Sequence, residues 1–117
     1  MSLQTELPIL FRGTIPTSTT LYVPVPIRAG TLGAHIGWLD AVSSATITLE
    51  LGSFAAAAPT VAGAAWEWKD SGVSITGPAA SAAGASIVNV ENVRQRFARL
   101  KIVTAAACNF DIRDGTA

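Results

Sequence analysis

Charge is scarce in this chain. Only 14% of its 117 residues are charged, where a globular domain averages about 25%. Eight basic residues balance eight acidic ones, and the formal net charge is zero. A phosphate backbone is bound through a basic stripe. The nearest approach to one is Arg94, Arg96, Arg99 and Lys101, with Glu91 before them and Asp111 and Asp114 after. No nucleic-acid partner is expected.

Ligating and nucleophilic groups are scarcer still. Cys108 is the one cysteine, so no intrachain disulfide forms. His35 is the one histidine. A zinc site within one chain would then draw its other ligands from carboxylates, an uncommon set. Asp111-x-x-Asp114-Gly115 lacks the further oxygens of a calcium loop. There is no Gly-x-Ser-x-Gly elbow and no glycine-rich phosphate cradle. We therefore expect no enzyme, no cofactor and no metal. No apolar run approaches the ~20 residues that span a bilayer. Met1 to Glu6 lacks the basic and apolar regions of a signal peptide. The expectation is no membrane partner and synthesis in a cytoplasm.

What is present reads as β-structure. Short runs of period-two alternation are separated by Gly, Pro, Ser and Ala. Nine candidates emerge: Ile9 to Ile15, Leu21 to Ile27, Gly33 to Leu39, Thr46 to Leu51, Ala65 to Lys69, Gly72 to Thr76, Ser86 to Val90, Arg96 to Val103 and Ala107 to Arg113. The last two alternate most clearly. Ala98, Leu100 and Ile102 share one face, with Arg99 and Lys101 on the other. Cys108, Phe110 and Ile112 point inward. A hairpin turning near Thr104 to Ala107 would set Leu100 beside Ile112 and Lys101 beside Asp111. Val23-Pro24-Val25-Pro26 lacks two backbone donors, which makes it an edge strand. Trp66 and Trp68 share a face of their short strand. They are core, a ligand platform or a subunit contact.

The fold expected is all-β: a two-sheet sandwich of jelly-roll type with eight or nine short strands. Residues 1–20 form an N-terminal arm or a first edge strand. Residues 21–117 form the single β-sandwich domain.

Fifty per cent of the residues are hydrophobic, much of that alanine. A domain this poor in charge has little colloidal protection near neutral pH, so part of its surface is expected to be covered by another protein. Two low-complexity segments are apolar although Gly and Pro mark them as loops. They run from Phe54 to Ala65 and from Gly77 to Ala85. They are either flexible loops that tolerate alanine or loops lying on a neighbouring subunit. The candidate interface comprises Leu7, Pro8, Ile9, Leu10 and Phe11, then Ala56, Ala57 and Pro59, then Pro78, Ala79 and Ala82.

Three stretches carry a resemblance: Trp66-Glu-Trp-Lys-Asp-Ser-Gly-Val-Ser-Ile-Thr-Gly, Val90-Glu-Asn-Val-Arg-Gln-Arg-Phe-Ala-Arg-Leu-Lys-Ile-Val, and the final Asn109-Phe-Asp-Ile-Arg. Over residues 33 to 113 the chain resembles small structural proteins of tailed bacteriophages, of the head decoration or cement type. The resemblance implies a β-sandwich on the outside of a capsid, usually a homotrimer, bound to the major capsid protein. It implies manufacture in the host bacterial cytoplasm and residence on the virion, with no catalytic residues. The alternative is a tail- or baseplate-associated carbohydrate-binding β-sandwich module. Exposure of Trp38, Trp66 and Trp68 in a shared groove would favour it.

Overall fold

Alternating side chains sort the chain into an inside and an outside. The computed structural model describes residues 7–41, 45–53, 59–78 and 83–116. Among the described residues there is no helix, and eight strands form: β1 (Ile9–Ile15), β2 (Thr20–Val25), β3 (Leu32–Ala41), β4 (Ala45–Gly52), β5 (Lys69–Asp70), β6 (Gly84–Val90), β7 (Phe97–Thr104) and β8 (Cys108–Asp114). Ile47 and Leu49 of β4, Leu100 and Ile102 of β7, and Phe110 and Ile112 of β8 are buried in one core with Leu32, Ile36 and Trp38 of β3. Cys108 is buried there too, as its alternation with Phe110 predicts.

The strands make two antiparallel four-stranded sheets packed face to face. Their orders are β1-β8-β3-β6 and β2-β7-β4-β5. Only the β4–β5 connection stays within one sheet; every other connection crosses to the opposite sheet. Two crossings are tied together by Thr104. Its buried hydroxyl donates to Pro16 O at 2.6 Å and accepts from Thr19 N at 3.1 Å. A buried hydroxyl is tolerated when its bonds are made.

This topology corrects three expectations. The hairpin between the last two strands does not form, because β7 and β8 belong to different sheets. Lys101 pairs in register with Tyr22 and Thr48, while Asp111 pairs with Arg12 and Gly37. Leu100 and Ile112 are both buried, in opposite layers of the core. Ala65 to Lys69 is a turn leading into the two-residue β5. Gly72 to Thr76 is not a strand. That segment is held beside β4 by Ser71 N to Leu49 O at 2.9 Å and Ala45 N to Pro78 O at 3.2 Å. The edge assignment of Val23 to Pro26 agrees with the structure: β2 is the free edge of its sheet.

The charged groups on β8 are paired. Asp111 is bound by both ends of the Arg113 guanidinium and lies 3.5 Å from Arg12. Asp114 is almost fully buried and accepts from Arg28 at 2.7 Å and from the Thr116 amide at 2.9 Å. The Arg113 hydrogen bonds hold the Asp111 carboxyl below its ordinary value, against a smaller opposing effect of burial. For Asp114, burial is the largest single influence and pushes upward. Arg28 and the two Thr116 donors together outweigh it, so this carboxyl is lowered as well. A carboxylate lowered by folding contributes stability that is complete above its unfolded pKa. That contribution is lost as pH falls through the folded value. Urea midpoints are therefore expected to fall between about pH 5 and about pH 3. Asp114→Asn should show a shallower fall over the same range.

Candidate functional site

The predicted interface residues do not all share one surface. Leu7, Pro8 and Ile9 are exposed, with Ile9 at the start of the edge strand β1. Leu10 and Phe11 are partly buried and pack against the core. Pro78 is buried at the opposite side, where its carbonyl caps the Ala45 amide. Ala56, Ala57, Ala79 and Ala82 lie outside the described residues. Leu10 and Pro59 do share a surface. They line one apolar groove of about 260 Å³ with Pro24, Pro26, Ile27 and Phe97, and Arg96 is its one charged wall.

Pro59 is placed there by Arg99, a residue whose role the sequence did not reveal. Strand alternation puts Arg99 on the outer face of β7, where solvent was expected. Instead its side chain is 2% exposed, because the β4–β5 connection folds back over it. The guanidinium donates to Glu50 Oε1 at 2.8 Å, to Pro59 O at 3.1 Å, to Ala62 O at 2.9 Å and to Val61 O. It also lies 4.0 Å from the ring centres of both Tyr22 and Trp68. A planar fork of five donors that stacks on aromatic faces suits this clamp, and lysine could not reproduce it. One cation thereby binds three loop carbonyls.

The same loop carries Trp66. The turn is closed by Glu67 N to Ala64 O at 3.0 Å and by Ala64 N to Glu67 Oε1 at 2.7 Å. Gly52 at the end of β4 lets it approach: a Cβ there would stand 2.6 Å from Glu67 O. The turn separates two tryptophans that the sequence had placed on one face. Trp68 is 8% exposed and Trp66 is 69% exposed. Trp38 belongs to the core, so the three do not form a shared groove. Trp66 and Trp68 instead line a cleft of about 250 Å³ with Leu51, Ser53, Lys69 and Gln95.

The two scarce reactive side chains are apart. His35 is exposed on β3 opposite Arg113 of β8. Cys108 is buried at the far end of β8. Among the described residues no group of three His, Cys, Asp or Glu could hold a metal ion. Compared with protein-family models, curated proteins and solved structures, the chain matches none.

Proposed function

We propose that this chain is a non-enzymatic virion structural protein. In this reading it binds and stabilises the outside of a bacteriophage capsid as a homotrimer in contact with the major capsid protein. It is made in the host cytoplasm and resides on the capsid surface. The observation that carries the reading is the apolar groove that Leu10 and Pro59 both line. Two segments far apart in sequence, each expected to contact a partner on composition alone, supply parts of one surface. Its proline-rich wall is stiff and offers few backbone donors, which suits shape-matched apolar contact.

The strand order supports a jelly-roll winding. It sets β1 beside β8, β2 beside β7, β3 beside β6 and β4 beside β5, the pairs made when one long antiparallel ribbon is wrapped into two sheets. Jelly rolls occur in viral capsid domains and in lectins. Fold alone does not assign function, so the weight rests on the surface. Ile9, Leu39 and Ile87 are more than half exposed in a chain of zero net charge, a composition that favours association. Light scattering at micromolar concentration is expected to report three times the 12.0 kDa chain mass. A stable 12.0 kDa monomer would contradict the homotrimer in this reading.

A further inference from the structure

We infer that the cleft beside Trp66 is a binding site for a neutral sugar ring. The first reason is how Trp66 is held. A mobile indole would fold down onto Leu51 or Trp68 and hide its apolar face from water. Here the turn is locked from below by the buried Glu67 carboxylate on the Ala64 amide. The turn also packs closely on Gly52, where an added Cβ would stand 2.6 Å from Glu67 O. Trp66 is thereby presented at 69% exposure on a rigid support. Preorganisation of this kind reduces the ordering cost of binding.

The second reason is the chemistry of the rim. Gln95 offers both a donor and an acceptor, Ser53 a hydroxyl that does either, and Lys69 a cationic donor. A pyranose has one apolar C–H face and a ring of hydroxyls that donate and accept. That face suits the indole, and those hydroxyls suit this rim. Charge favours a neutral ring, because the cleft is lined by one acidic and one basic residue, Glu67 and Lys69. The volume of about 250 Å³ lies just below the range of drug-sized pockets, which fits one or two rings. A protein partner would also cover Trp66, but it would not require a small cleft with mixed donors and acceptors. The site is independent of the capsid reading and would stand on a chain that bound no capsid.

The test is titration of the full chain with methyl β-glucoside, N-acetylglucosamine, cellotetraose and chitotriose. It is followed by tryptophan fluorescence and by NMR of the indole and side-chain amide protons. Shifts are expected at the Trp66 indole and the Gln95 amide, with dissociation constants near ~1 mM for the single rings. Trp66→Ala should weaken binding by about tenfold or more, the effect of losing one stacked ring, while keeping the wild-type urea midpoint. Gln95→Ala should weaken it less. Three results would overturn the proposal. One is no response to any of these sugars at about 20 mM. Another is unchanged binding by Trp66→Ala. The third is loss of self-association in Trp66→Ala without any sugar response, which would make Trp66 a subunit contact.

Discussion

Arg99→Ala is expected to cost about 3–5 kcal/mol of folding stability, the usual result of removing one partner from a buried ion pair. The substitution leaves Glu50, whose side chain is 15% exposed, without its cation. It also removes the donors to the carbonyls of Pro59, Val61 and Ala62, and it opens the space between Tyr22 and Trp68. Arg99→Lys keeps the charge and loses the fork and the stacking, so an intermediate cost is expected. Urea melts measure both. The tryptophan emission of Arg99→Ala should also change before unfolding, because Trp68 loses the cation on its face. A cost below about 1 kcal/mol would place Arg99 among ordinary surface ion pairs, and the clamp would not be what holds the β4–β5 loop.

Leu100→Ala, one residue along the same strand, is expected to cost about 2–5 kcal/mol. Leu100 has no exposed surface and stands in register between Val23 of β2 and Leu49 of β4, both buried. Lys101→Ala should cost less than about 1 kcal/mol, since its half-buried side chain faces outward. Comparable urea midpoints for these two variants would mean that the faces of β7 are assigned the wrong way round. The trio of Arg99, Leu100 and Lys101 thus predicts an uneven pattern along three consecutive residues. Pure alternation would have made Arg99 as tolerant as Lys101.

That contrast shows what the sequence can reveal and what it cannot. Period-two alternation identified β4, β7 and β8 and the inward direction of Ile47, Leu100 and Phe110, because burial acts on every second side chain. Prolines 24 and 26 identified an edge, because a missing donor cannot serve two neighbours. Alternation does not say which sheet a strand joins. The hairpin expected between β7 and β8 rested on a shared inward pattern, Leu100 with Ile112, and on one charge pair, Lys101 with Asp111, a contact worth only about 0.2–1 kcal/mol. Arg12 and Arg113 satisfy Asp111 instead. The five residues from Ala65 to Lys69 alternate by chance, and the Ala64–Glu67 turn overrides them. The clamp on Arg99 was hidden because it depends on a loop returning over an outer face. The groove was half legible: composition named Leu10 and Pro59, but only the fold brings them together.

The central claim is attachment to a capsid by apolar contact, and co-sedimentation with heads assembled without this protein tests it most directly. Charge pairing is screened within about 8–10 Å at physiological ionic strength, whereas apolar burial at about 25 cal/mol per Å² does not depend on screening. With Arg96 as the one charge in the groove, bound protein should change little between about 50 mM and about 500 mM salt. Pro24→Glu places a carboxylate in that groove from an exposed edge position. It should abolish most of the binding while leaving the urea midpoint near that of the wild type. Steep loss of wild-type binding with salt, or full binding by Pro24→Glu, would contradict the account.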